Sequence, residues 1–195
     1  MSTQKRRYEL KARAEAQEAT RARIAAAAAA LHEELGISKT TVADIARRAG
    51  VQRLTVYNHF PDLRSLLPAC TAHWLAEHPR PDLGPAFALE DPAERLRAAL
   101  VGIYGWYRGT APMQQRVLGE RTTVPDLDGW LAQSRDPMFA ELAADLSAGF
   151  DRPEARALVG LALDFWTWQR LDREGLDDAA AAALMAAVVA AARPG

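Results

Sequence analysis

Apolar positions in this chain recur at helical spacing, and no stretch alternates like a strand. Ile24, Ala28, Leu31 and Leu35 follow at intervals of four, three and four, one stripe of a helix from about residue 9 to 35. Gly36 stands where a left-handed residue ends such a helix. Thr41 followed by Asp44 resembles a capping box with Asp in place of Glu or Gln, opening a helix that stops at Gly50. Gln52 opens a short helix through His59, closed by Pro61, and a fourth runs from about Leu63 to Glu77. The Pro- and Gly-rich stretch HPRPDLGPAFALEDP reads as a linker, with a boundary near residue 79. Asp91-Pro92-Ala93-Glu94 is an N-cap followed by a first-turn proline, and its helix is expected to reach about Arg108. Further helices are expected at 112–121, 126–148, 153–174 and 177–192. Asp151-Arg152-Pro153-Glu154 repeats the cap-then-proline signal, and Gly175 ends the penultimate helix. The expected fold is all-α, with about nine helices.

Composition narrows the class. At 195 residues and 49% apolar, the chain can bury a real core. Its net charge of −1 hides an asymmetry. Residues 1–64 hold 12 Lys/Arg against 7 Asp/Glu, net +5, and residues 65–195 hold 12 against 18, net −6. A basic head on an acidic body points the head alone at a polyanion. The single cysteine, Cys70, excludes an intrachain disulfide and a thiolate zinc cluster. The opening residues are polar and charged, and the Ala-rich run 179–192 is too short and too weakly apolar to span a bilayer. The expectation is a cytoplasmic protein without membrane attachment. No G-x-S-x-G, Gly-rich phosphate loop or H-E-x-x-H occurs, and His73 and His78 are five apart, a poor spacing for one helical face. Neither enzyme, metal nor cofactor is expected.

The informative stretch is TTVADIARRAGVQRLTVYNHFPDLRSLL, residues 40–67. Ile45 and Ala46 supply the buried face of a first short helix. Ala46 is small where a second helix crosses, Gly50 accepts positive φ in the turn, and Val51 fills the gap between the helices. Val56 and Phe60, four apart, face inward. Arg53, Leu54, Thr55, Tyr57, Asn58 and His59 are left on or near the outer surface, a set of basic and hydrogen-bonding groups suited to a major groove. The IA pair, the AGV turn and the Y-x-H-F ending resemble the tetracycline-repressor family of one-component regulators, over roughly residues 20–67. The resemblance implies an N-terminal three-helix DNA-binding domain, residues 1–64, and a helical bundle for ligand binding and dimerisation, residues 65–195. It implies a homodimer on double-stranded operator DNA, acting as a repressor that a small-molecule effector releases. By position, it implies that Thr41 caps the second helix near a phosphate. Arg53, Leu54 and Thr55 read bases, Arg53 pairing with guanine and Leu54 touching a thymine methyl. Tyr57 and His59 contact phosphates. Where the family often has Lys, this chain has Leu63, and the adjacent Arg64 is the candidate replacement.

All five Trp residues lie outside residues 1–64. Tyr104, Trp106, Tyr107, Met113, Arg121, Trp130 and Phe165 are candidate walls of an effector pocket, with core packing as the rival reading. Asp164, the polar residue in LALDFW, is expected to accept a Trp N–H inside the bundle, with a cationic ligand as the alternative. Residues 153–174 show two apolar stripes, Leu158/Leu161/Phe165 and Val159/Leu163/Trp166; one can face the core and the other a second subunit. With Leu184 and Val188 on the Ala-rich last helix, the expected dimer residues are Val159, Leu163, Trp166, Leu184 and Val188. Two other classes remain open: a nucleoid-associated protein on the same fold, and a ligand-converting helical-bundle enzyme.

Overall fold

A computed structural model describes the backbone of residues 2–192 and the side chains of residues 7–192. Among these residues there are ten helices and no strand: α1 (Ser2–Leu35), α2 (Val42–Ala49), α3 (Arg53–His59), α4 (Leu63–Glu77), α5 (Gly84–Phe87), α6 (Pro92–Gly119), α7 (Pro125–Leu146), α8 (Pro153–Ala162), α9 (Phe165–Arg173) and α10 (Asp178–Ala191). None is long and apolar enough to cross a membrane. The chain forms two compact units, one of residues 1–79 with 115–130 and one of residues 80–114 with 131–195. The functional division expected at residues 64/65 falls inside the first unit, within α4.

In the first unit, α1 packs against α2 and α4, and α2 against α3. Ile24, Ala28 and Leu31 are buried as their spacing requires, but Leu35 is 40% exposed. Gly36, at φ 92°, turns the chain there, and Ile37 takes the inward place instead. Asp62 caps α4 in a reciprocal box, its carboxylate accepting from the Ser65 N–H at 2.8 Å while the Asp62 N–H donates to Ser65 Oγ at 3.3 Å. Inside the unit, Cys70 Sγ lies 3.8 Å from His32 Nδ1. Burial pushes the thiol up to about 12, away from the reactive thiolate form. Burial also lowers His32 to about 4, against the opposing pull of Glu120.

The second unit departs from expectation at three places. The sequence predicts a break between Arg108 and Pro112, yet α6 runs unbroken from Pro92 to Gly119 with Pro112 inside it. Proline removes one backbone donor there, but Ile103, Tyr107, Thr110 and Gln114 keep one buried face through it, so packing outweighs the local signal. Within the expected linker, α5 forms a single turn. The Gly84 N–H donates to Asp82 Oδ1 at 2.9 Å, and Ala86 is buried. The helix expected over 153–174 is two, α8 and α9, broken at Leu163-Asp164.

Asp164 explains the break. Its Oδ1 accepts the backbone N–H groups of Trp166 at 2.8 Å and Thr167 at 3.1 Å, which makes it the N-cap of α9. The expected indole partner is elsewhere: Trp168 Nε1 donates to Asp178 Oδ1 at 3.0 Å. The carbonyls of Ala162 and Leu163 beside the break accept from two buried hydroxyls, Tyr104 at 2.8 Å and Tyr107 at 2.7 Å. An Asp164→Ala variant is expected to lose about 1 kcal/mol. In a chain of this size that lowers Tm by about 2–4 °C, measurable by thermal unfolding; an unchanged Tm removes Asp164 from the account of the break. The other expected cap signals divide. Asp91 Oδ1 accepts from the Ala93 and Glu94 N–H groups, both at 2.9 Å. The residue before Pro153 at the start of α8 is Arg152, with no side-chain cap, so Asp151 does not serve as one.

Candidate nucleic-acid interface

The first unit holds α2 and α3 in a fixed crossing. Thr41 is the N-cap of α2, its hydroxyl accepting from the Asp44 N–H at 3.2 Å. The same hydroxyl donates to the Asp44 carboxylate, so the pair is not the reciprocal box of the sequence pattern. That hydrogen bond from Thr41, with Arg47 alongside, holds the Asp44 carboxyl below the usual range. Gly50 ends α2 at φ 65°, in the left-handed region, and the Val51 N–H reaches back to the Ala46 carbonyl at 3.0 Å. Ile45 and Ala46 on α2 and Val56 and Phe60 on or after α3 are buried.

With Val56 and Phe60 inward, the rest of α3 faces solvent. Arg53, Leu54, Tyr57 and Asn58 are exposed, and Thr55 and His59 are partly so. Leu54 is 66% exposed. A leucine this open at the start of a polar helix contributes nothing to the core and is available for an apolar contact such as a thymine methyl. Arg53 carries no hydrogen bond or ion pair with the described residues. The six predicted α3 residues therefore form one outer surface, flanked by exposed Thr41 at the start of α2.

Neighbouring cations are mostly engaged. Arg47 pairs with Asp44, and Arg48 with Glu34 at 2.8 Å. Arg64, the candidate replacement for the family's lysine, places Nε 2.8 Å from Asp126 Oδ1 while its side chain stays 74% exposed. Two residues that the sequence pattern does not single out hold the frame. Arg21 of α1 donates from Nη1 to the His59 carbonyl at 3.0 Å, and its guanidinium lies 4.2 Å from the centre of the Phe60 ring. It thereby fastens the end of α3 to α1. Glu120 accepts from the Ser38 N–H at 2.9 Å and the Ser38 hydroxyl at 3.0 Å, and Arg116 Nε donates to the Glu33 carbonyl at 2.7 Å. These contacts hold the α1–α2 loop. With Ser38 and Glu120 82 positions apart, no local pattern announces the pair.

The effector candidates are divided between the two units. Tyr104, Trp106, Tyr107 and Phe165 lie in the second unit, where Tyr107 packs edge-on to Phe165 at 5.4 Å between ring centres and lies 5.6 Å from Trp106. Met113 is buried in that unit too. Arg121 and Trp130 belong to the first unit, where Arg121 Nε donates to Asp128 Oδ1 at 2.6 Å. Of the dimer candidates, Val159 and Leu163 are buried inside the chain at 0% and 3% exposure, so they offer no outer face. Leu161, expected inward, is 51% exposed instead, together with Trp166, Leu184 and Val188. Within α8 the buried face runs through Ala155, Val159 and Ala162, which leaves Leu161 outside it, and helical phase does not carry across the break at Asp164 to Trp166.

An all-helical chain whose short second and third helices hold a polar outer face in this way is a helix-turn-helix protein. The family described as "Bacterial regulatory proteins, tetR family" matches residues 24–70. An HTH-type transcriptional regulator from Mycobacterium tuberculosis is 43% identical over 58 residues, 30% of this chain and 31% of that protein. One from Mycobacterium bovis is 47% identical over 55 residues, 28% of this chain and 29% of that one. The matched segment thus spans less than a third of the length of these relatives. A TetR-like transcriptional regulator from Rhodococcus sp. RHA1 superposes with a TM-score of 0.59 at 24% identity, covering 86% of this chain and 91% of its own. A second transcriptional regulator from that organism gives 0.63 at 22% identity, covering 86% and 94%. At these identities the structural likeness is one of fold. The helix-turn-helix segment thus matches the tetR family of bacterial regulatory proteins over residues 24–70, and the fold as a whole is that of solved TetR-like regulators.

Proposed function

We propose that this protein is a sequence-specific DNA-binding transcriptional regulator, a dimeric repressor that a small molecule releases from its operator. The observation that carries this reading is the outer face of α3, where Arg53, Leu54, Thr55, Tyr57, Asn58 and His59 surround a helix anchored by Val56 and Phe60. Arg53, Leu54 and Thr55 read base edges; Thr41, Tyr57, His59 and Arg64 lie against phosphates. The test is selection of bound duplexes from a random pool. A recovered motif with two-fold symmetry, its half-sites about 34–36 Å apart or a multiple of that, is the expected result; a pool that enriches nothing defeats the reading.

Tyr57→Phe and His59→Ala are expected to weaken binding to every sequence about equally. One hydrogen bond to a charged group such as a phosphate is worth about 1.5–3 kcal/mol net, roughly 10- to 150-fold in affinity. Binding of each variant to selected and scrambled DNA gives the measurement. Loss of preference at one base pair reassigns that residue to base reading.

The effector belongs to the second unit in this proposal, among Trp106, Met113 and the rings around Phe165. Tyr104 and Tyr107 take the part of wall rather than of polar anchor, because their hydroxyls already serve the carbonyls beside the α8–α9 break. The dimer face is formed by Leu161, Trp166, Leu184 and Val188. These are exposed apolar side chains on helices that pack together, since α10 touches both α8 and α9.

A further inference from the structure

The basic character of the head is concentrated where no role has been assigned. Residues 1–64 are net +5, yet residues 1–13 alone hold five Lys/Arg against one Glu, net +4, and residues 14–64 are net +1. Within that nearly neutral remainder, Arg47, Arg48 and Arg64 face carboxylates and Arg21 holds the end of α3. That leaves Arg23, Lys39 and Arg53 facing no carboxylate in residues 14–64, against five cations in residues 1–13.

The structure continues α1 outward from this head. From Arg7 to Ala19 every described side chain is exposed, and burial begins only around Thr20. Helix persists through the exposed stretch because it is built from Ala, Arg, Lys, Glu and Gln, the strongest helix formers. Ser2–Ala19 amounts to about 27 Å of helix, of which the basic part, Ser2–Arg13, spans about 18 Å, the length of about five base pairs. It departs from the head beside the recognition helix, since Arg21, the next turn of α1, is the residue bonded to the His59 carbonyl. The stretch has no apolar stripe with which to enter a membrane or pair with another helix. Its two large apolar residues, Tyr8 and Leu10, are both exposed and lie two positions apart, on opposite sides of the helix. Lys11 meets Glu15 at 3.8 Å on the open surface, a contact weak enough to exchange for a phosphate.

We infer that residues 2–13 of α1 form a basic arm that lies against the phosphate backbone of DNA and supplies most of this protein's sequence-independent affinity. The inference rests on the DNA-binding reading above and adds to it a surface outside the helix-turn-helix. Base reading stays with α3; the arm sets the strength and the salt dependence of binding.

The test compares full-length wild type with a triple variant, Arg7→Gln, Lys11→Gln and Arg13→Gln, and with Glu9→Gln. Each is titrated with the selected operator and with a scrambled duplex from about 50 to about 300 mM salt. The plot of log affinity against log salt is expected to flatten by about 0.9 for each lost phosphate contact, thus by about two to three per subunit in the triple variant. At about 150 mM salt, affinity for both duplexes is expected to fall at least tenfold, with their ratio unchanged. Glu9→Gln, which removes the one carboxylate among the first 13 residues, is expected to tighten binding to both. A triple variant with wild-type helicity and an unchanged salt slope overturns the arm while leaving the operator reading intact. Loss confined to the operator also overturns it. A wild-type protein that binds neither duplex overturns both proposals.

Discussion

Leu184→Glu is expected to convert the dimer into monomers and to lower operator affinity by roughly 10²–10⁴-fold. Leu184 is 44% exposed on α10, with Val188 one turn further along the same face and Trp166, equally exposed, on α9. A glutamate on this surface costs little in the monomer, where water reaches it. In a dimer that buries the face, the carboxylate is desolvated without a partner. Each protomer presents one α3, so a monomer reads one half-site and loses the gain from linked binding, typically 10²–10⁴-fold. Leu163→Glu is the informative contrast. The sequence pattern puts Leu163 on the same face, but it is 3% exposed inside the chain. A charge there meets the core of its own subunit, and the penalty rivals the roughly 5–15 kcal/mol that stabilises a typical domain. The expected results are folded, helical monomers for Leu184→Glu and loss of folded protein for Leu163→Glu. Sedimentation and circular dichroism separate the two. A Leu184→Glu protein that stays dimeric moves the interface elsewhere; a well-folded monomeric Leu163→Glu protein returns Leu163 to the dimer face.

Arg53→Ala is expected to remove roughly 1–3 kcal/mol of base discrimination per half-site, about 5- to 150-fold in the ratio of operator to scrambled affinity. The fold should not change, because Arg53 is exposed and bonded to none of the described side chains. Its position at the start of α3, with Val56 holding the helix from the inside, suits a guanidinium that forks onto the two acceptors of a guanine. Paired titrations of the variant with selected and scrambled DNA give the ratio. An unchanged ratio with uniformly weaker binding makes Arg53 a phosphate contact instead.

Much of the head is legible in the amino-acid sequence alone. The intervals between Ile24, Ala28 and Leu31, the turn glycines Gly36 and Gly50, and the inward pair Val56 and Phe60 all express short-range rules. Three or four residues return to the same side of a helix, and glycine accepts the left-handed turn. Given α3 and those two inward residues, its outer face follows by elimination, so the candidate DNA surface is readable as a set. What carries that surface is not. Arg21 reaches the His59 carbonyl across 38 positions and Glu120 reaches Ser38 across 82, and nothing in either local stretch marks the partner. In the body, local signals compete with packing and divide. Pro112 marks an end that the buried face of α6 overrides. Asp164 stands out in its apolar run as a misplaced polar residue, but its use as a cap depends on α8 ending two residues earlier, a choice supported by the distant hydroxyls of Tyr104 and Tyr107. The face of α8 that is buried, through Ala155, Val159 and Ala162, leaves Leu161 outward, and beyond it Leu163 is inward and Trp166, past the break, outward. Helical periodicity is set by neighbours a few residues apart and can be read from a string of letters. Where a helix stops and which of two apolar stripes is buried depend on residues tens of positions away, and only the tertiary structure brings those together.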